Sequence, residues 1–258
     1  MLSRFFRRKK RPFYGIDAPS IVKRYSFFGV GALLATFGLS LLPLTPWIKG
    51  IFVFMMLLGS SFLLFPVISI LLGSFFFKFK IRDLLINQLT WTGGETVLDL
   101  GCGSGLLMVG AAKRLSRGKV TGVDLWSKND QTHNSSSSAL RNAELEKVRE
   151  KVEIVTADMR ELPFQDGHFD HILSSWAIHN IYTFEGRMKA LDEAIRVLKE
   201  GGQMAIVDIV NTQEYEKYLK NLSMQDVRVL GPFYTFGTPS HLVMAKKPAS
   251  KTQGRNLV

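Results

Sequence analysis

Val97-Leu98-Asp99-Leu100-Gly101-Cys102-Gly103-Ser104-Gly105 is the stretch that decides the fold. Thr96 to Leu100 reads as a short buried strand, three glycines follow at alternate positions, and an apolar helical pattern opens at Leu106. A strand, a tight turn and a helix start in that order make a seat for a nucleotide-like ligand. Glycine adopts dihedrals that other residues resist and leaves no side chain between ligand and main chain, and the helix start offers free N–H groups. The spacing is not that of the pyrophosphate fingerprint, whose third glycine stands five residues after the first. Here the glycines are 101, 103 and 105, and position 106 is Leu.

The 258 residues allow one sizeable α/β domain plus an extra segment. Cys102 is the single cysteine, which excludes an internal disulfide; nothing near it has metal-ligand spacing, and it is read as a small loop residue. The net charge of +11 is unevenly placed. Residues 1–82 hold 12 of the 33 Lys and Arg but one acid, Asp17, so the rest of the chain is balanced. A neutral domain argues against a nucleic-acid partner, whose phosphates demand a basic surface.

The basic residues Arg4, Arg7, Arg8, Lys9, Lys10, Arg11, Lys23 and Arg24 precede apolar sequence and read as a membrane flank. No residue from 25 to 48 is charged, nor any from 50 to 77; these 24 and 28 residues would be about 36 and 42 Å long as helices, against roughly 30 Å of hydrocarbon. Pro43 and Pro46 end the first helix near Leu42, and the second must tilt, kink at Pro66 or run its phenylalanines into the headgroup zone. A cleaved signal peptide and a buried soluble hairpin are the weaker alternatives. The organisation expected is a basic segment over 1–24, a two-helix transmembrane hairpin over 25–79 contacting the membrane through 25–77, a domain over 80–248 and a polar tail over 249–258. The basic flanks place both termini and the domain on the cytoplasmic side. Residues 81–91 read as an amphipathic helix joining membrane to domain.

Within the domain, 119–124 reads as a second parallel strand ending in Asp124, 23 residues after Gly101. In a doubly wound sheet the carboxyl ends of these two strands are neighbours, where an acid can accept hydrogen bonds from two ribose hydroxyls. Residues 127–138 read as a mobile polar loop leading into a helix over 139–151. A third strand over 152–156 leads to Ala157-Asp158-Met159, and a fourth ends at Ser174-Ser175. A helix over 182–198 and a fifth strand over 203–209 follow. Strands over 226–230 and 241–246, flanking a loop with Pro232, Phe233, Tyr234, Phe236 and Pro239, complete seven.

This series resembles the class I S-adenosylmethionine (SAM) methyltransferases. Asp99 with the Gly101, Gly103 and Gly105 loop resembles their first motif; Asp158-Met159-Arg160-Glu161-Leu162-Pro163-Phe164 and the run from Gly167 to Ser175 are similar to the third and fourth. The resemblance implies a mostly parallel, seven-stranded doubly wound sheet and SAM as cofactor. It assigns SAM contacts to the loop, with Cys102, and the ribose to Asp124. It puts Leu125 and Trp126 beside the adenine, Asp158 and Met159 at its amino group, and Ser174 and Ser175 near the reactive methyl. Two prolines typical of base and amide methylating enzymes are missing at Ser174-Ser175-Trp176-Ala177. The pattern is most similar to the quinone-biosynthesis and small-molecule branch, which implies a small or lipid-like methyl acceptor. His179 is the best-placed general base, against a role in merely shaping the pocket. A SAM-binding membrane tether without catalysis is the alternative function.

Overall fold

A computed structural model of the chain describes residues 11–127, 131–235 and 238–249. The basic residues Arg4 to Lys10, Phe236 and the tail beyond 249 lie outside them. Seven strands form one sheet in the order β3-β2-β1-β4-β5-β7-β6: β1 (Thr96–Leu100), β2 (Lys119–Asp124), β3 (Val152–Thr156), β4 (Phe169–Ser175), β5 (Leu198–Asp208), β6 (Gln225–Thr235) and β7 (Thr238–Lys246). The first five run parallel, and β7 pairs antiparallel with both β5 and β6. This is the doubly wound arrangement expected.

The pleat sorts the core into two layers. Val97, Leu173, Ala205 and Val207 face a layer built with the helices α3 (Lys78–Asn87), α4 (Leu106–Ala112) and α5 (Ser136–Leu145). Leu98, Leu100, Ile172, Met204 and Ile206 face α6 (Phe184–Val197) and α7 (Thr212–Asn221). Along α6, Met188, Leu191, Ala194 and Val197 recur at helical spacing and are buried, while the Thr183 hydroxyl caps the first turn by accepting from the Gly186 N–H at 3.1 Å. The four serines read as loop instead open α5: Ser135 caps it by accepting from the Ser138 N–H. A serine-rich stretch carries a helix start as readily as a loop, because its hydroxyls satisfy the orphan N–H groups.

The N-terminal third departs from expectation in two ways. Two spans were expected; among the described residues one helix is long and apolar enough to cross a membrane, Pro46–Asn87, 42 residues without a break. It comprises α2 (Pro46–Leu72), a π-helical turn (Gly73–Phe77) and α3, so the expected membrane segment and the joining helix are one rod, and Pro66 lies inside it. The first helix, α1 (Pro19–Ser40), packs along α2 but begins with Lys23 and Arg24 inside it and stops at Ser40, which shortens its uncharged part. Gly29 allows the close approach: a Cβ there would lie 2.6 Å from the Leu64 side chain.

Second, residues 11–18, read as basic flank, lie across the domain as a strap. The Asn142 side chain accepts from the Phe13 N–H (3.0 Å) and donates to the Phe13 carbonyl (2.8 Å). Tyr14 is buried, and Gly15 at φ +73° has Gln131 and Thr132 where a Cβ would go. Asp17 accepts from the Ser74 hydroxyl at 3.0 Å and from the Gln131 amide at 2.9 Å, and the buried Lys78 ammonium donates to the Tyr14 and Gly15 carbonyls at 2.7 Å each. The π-helical turn thus presents Ser74 one turn before Lys78, so that both meet the strap.

Candidate active site

The glycine loop rests on the tip of β2. The Gly101 and Cys102 N–H groups donate to the Val123 carbonyl (2.8 and 3.0 Å), and the Gly103 N–H donates to Asp124 Oδ2 (2.8 Å). Gly101 has φ +71°, and a Cβ there would fall 2.3 Å from that of Ala177, so no side chain fits. The Ser104 N–H and hydroxyl both donate to Gln131 Oε1, at 3.1 and 2.8 Å, and Gln131 passes the contact on to Asp17. Beneath the loop, Asp99 is buried: one carboxyl oxygen accepts from the Met108 N–H at 2.8 Å and the other has no partner. Burial pushes its pKa up to about 7, the Met108 bond opposing and the Asp124 charge adding to the rise. Cys102 is also buried, and desolvation raises its thiol pKa well above the usual value, which suits a loop residue and not a nucleophile.

Asp124 is half-buried at the carboxyl end of β2, where its Oδ1 accepts from the Trp126 N–H (2.6 Å) and the Asn134 amide (3.3 Å). Trp126 has φ +62° and its indole N–H donates to the Thr156 hydroxyl, so the ring lies across the tips of β2 and β3. Leu125 stands exposed. Met159 reaches the glycine loop, its methyl 3.4 Å from where a Gly101 Cβ would be. Asp158 is gripped through both oxygens by the Arg160 guanidinium, which holds its carboxyl below the usual range. Ser174 is fully buried and its hydroxyl donates to the Leu100 carbonyl at 3.0 Å, so it ties β4 to β1 instead of offering a free donor; Ser175 beside it is half-buried.

His179 sits in a short 3₁₀ turn (Ile178–Asn180) just past β4. Its Nδ1 donates to Asp208 Oδ1, and its backbone N–H donates to Asp208 Oδ2 at 3.1 Å. Asp208 is fully buried at the end of β5 and also accepts from the Tyr215 hydroxyl at 3.3 Å and the Ile209 N–H at 2.9 Å. A carboxylate can only accept, so this pairing puts the proton on Nδ1 and leaves Nε2 as an acceptor. Trp176, at φ +51° between β4 and His179, is the second tryptophan with left-handed backbone at a strand tip. Strained residues of this kind gather at functional sites.

Residues 98–206 match the family model described as a methyltransferase domain. Over 134 residues the chain is 33% identical to the 2-phytyl-1,4-naphtoquinone methyltransferase of Nostoc sp. (50% of this chain, 55% of the relative). It is 32% identical over 127 residues to the ubiquinone/menaquinone biosynthesis C-methyltransferase UbiE of Ruegeria sp. (49% and 47%). Residues 98–206 form a methyltransferase domain, similar to the class I SAM-dependent enzymes. The chain spans about half the length of these curated relatives. The fold is also that of a geranyl diphosphate methyltransferase solved with SAM (TM-score 0.54, 18% identity, 70% of this chain and 90% of that one). It is equally that of the [4+2]-cyclase SpnF (TM-score 0.55, 17% identity, 66% and 81%), so the fold by itself does not fix a reaction.

The methyltransferase domain fits the cofactor its family uses. The unpartnered oxygen of Asp99 is a buried acceptor under the loop, suited to a cationic ligand, and Gly101 leaves the main chain bare. Asp124 stands at the tip of the neighbouring strand, and Asp124 and Gln131 accept from the loop's Gly103 and Ser104 N–H groups. Sequence reasoning missed Asp208, Gln131 and Asp17. Asp208 had a usable signal: Ile206-Val207-Asp208 ends a strand in an acid, as Leu98-Asp99 and Val123-Asp124 nearly do. Gln131 and Asp17 had none, because their roles come from a strap that packs 114 residues away in sequence.

Proposed function

We propose that the protein is a membrane-anchored SAM-dependent methyltransferase whose acceptor is a small amphiphile, of the quinol or lipid class. The observation that supports it is the convergence, at the carboxyl ends of adjacent strands, of the glycine loop, Asp124 and the His179–Asp208 pair. Asp99, the loop and Asp124 would hold SAM, with Trp126 and Met159 beside them. Bound there, SAM supplies a methyl group on a sulfonium that is already a good leaving group. The chain's own task is to hold the acceptor in line with it, and positioning of this kind contributes roughly 7–11 kcal/mol of a barrier. His179 Nε2 takes the proton released by the acceptor, and Asp208 fixes the ring and stabilises the imidazolium that forms. The relatives named for quinone methylation and the long apolar rod support an amphiphilic acceptor. Here α1 and α2 form the hairpin in the bilayer, with both termini and the domain on the cytoplasmic side.

Incubating the full chain in vesicles with methyl-labelled SAM and a membrane lipid extract tests this. Label is expected in the organic phase, and His179→Ala should lower kcat by about 10²–10⁴-fold while SAM affinity stays unchanged. The alternative, a SAM-binding tether that catalyses nothing, would be selected by retained SAM binding with no label transferred to any extract.

A further inference from the structure

The direction in which the long helix leaves the domain says which end of the domain it carries toward the membrane. At its far end, the Thr90 N–H donates to Gln203 Oε1 (3.0 Å) and the Thr90 carbonyl meets His171 Nε2 (2.8 Å), where the parallel ladder of β4 and β5 begins. Midway, Arg82 and Ile86 lie against Gly110 of α4. At its near end, Ser74 and Lys78 meet the strap, and through Asp17 and Gln131 the glycine loop. The helix therefore runs antiparallel to the strands, and α2 projects past their carboxyl ends, the same end that holds the candidate active site.

That end is unusually apolar. Among the described residues, seven large hydrophobic side chains outside α1, α2, the turn that joins those two helices and the π-helical turn are exposed. Five of them, Leu125 (61%), Tyr182 (96%), Phe184 (49%), Val210 (49%) and Tyr234 (75%), follow the carboxyl ends of β2, β4 and β5 or stand in the β6–β7 hairpin. That hairpin overhangs the end of β5, since Asp208 pairs with His241 and Tyr234 with Pro239 further out. Phe13 stacks by the π-helical turn at the same end, and only Leu222, between α7 and β6, marks the opposite one. Isolated exposed apolar residues mean little, but a set confined to one end marks a contact surface. Tyrosine is also the residue that rests at a membrane interface, ring in and hydroxyl out.

We propose that this rim is a second membrane contact: Leu125, Tyr182, Phe184, Val210 and Tyr234 rest in the headgroup layer of the bilayer that α2 enters. The mouth of the candidate active site then opens onto the leaflet, and an amphiphilic acceptor reaches it without crossing water. The inference rests on the reading of α2 as a span, and its test separates the two. Full chains carrying Tyr182→Cys, Tyr234→Cys, Leu222→Cys or Phe54→Cys are labelled with an environment-sensitive fluorophore; buried Cys102 in the unaltered chain sets the background. They are reconstituted in vesicles of equal parts phosphatidylcholine and phosphatidylglycerol with a nitroxide quencher near the top of the acyl chain. An interfacial side chain buries about 5–10 Å into the headgroup boundary, so labels at 182 and 234 are expected to lose about half their emission, with that at 222 unchanged. Quenching at 54 with none at 182 and 234, or with quenching at 222 instead, overturns the rim while leaving the anchor. No quenching at 54 overturns both.

Discussion

Asp124 accepts from the Gly103 and Trp126 N–H groups with one carboxylate, and in the proposed function the same carboxylate takes the ribose hydroxyls of SAM. Asp124→Ala should therefore weaken SAM binding by ~1.5–3 kcal/mol, the scale of hydrogen bonds to a charged group, read by calorimetry on the detergent-solubilised chain. Asp99 offers a pH signature. Its pKa rises from 3.8 to about 7 on folding without ligand, so the folded chain holds a proton that the unfolded chain releases. Its contribution is fully favourable below the lower value and is lost as pH rises to the upper one. Chemical denaturation of the ligand-free protein should show stability declining over that window, and Asp99→Asn should flatten the decline. A slope identical in both proteins would mean that Asp99 ionises freely where it stands.

At the scale of elements, β1, β2 and β4 were readable because each is a short, mostly apolar run with turn residues after it and lies inside the sheet, and β3, at the sheet edge, was readable from its alternation. Asp124 was readable for the same reason, being fixed by the distance between neighbouring strand tips. The edges were less legible. β5 begins at Leu198, not 203, because Lys199-Glu200-Gly201-Gly202 continues as extended chain after α6 and looks, in sequence, like a helix stop. Ser174 was assigned beside the methyl, yet pleat alternation turns it inward to Leu100. The strap was not legible, since its partners lie on α5 and the long helix. Asn142 makes three of its hydrogen bonds, to the Phe13 N–H and carbonyl and the Ser104 carbonyl, while almost fully buried. Asn142→Ala should cost about 1–3 kcal/mol, because those groups are left unsatisfied, and thermal melts should show it even when residues 1–10 are absent.

For the molecule as a whole, the rod and the strap make the apolar N-terminal segment part of the methyltransferase domain's own packing. Cutting the chain at Lys80 removes Tyr14, Asp17, Ser74 and Lys78 together. A protein reduced to residues 80–248 is expected to melt lower and bind SAM more weakly than the full chain in detergent, with Gln131 free of its Asp17 partner. Equal SAM affinity in calorimetry would show that the strap is an ornament to the site.

Phe13 and Tyr14 are joined to Asn142 and Glu146, some 130 positions further along. During synthesis the strap and α2 both emerge from the ribosome before the seat for Tyr14 has been translated. The strap must wait beside a helix that is already complete. When α5 finally appears, it closes the domain back onto the strap, so the bracing that reaches the glycine loop through Asp17 and Gln131 is completed only after the far half of the domain has begun to form.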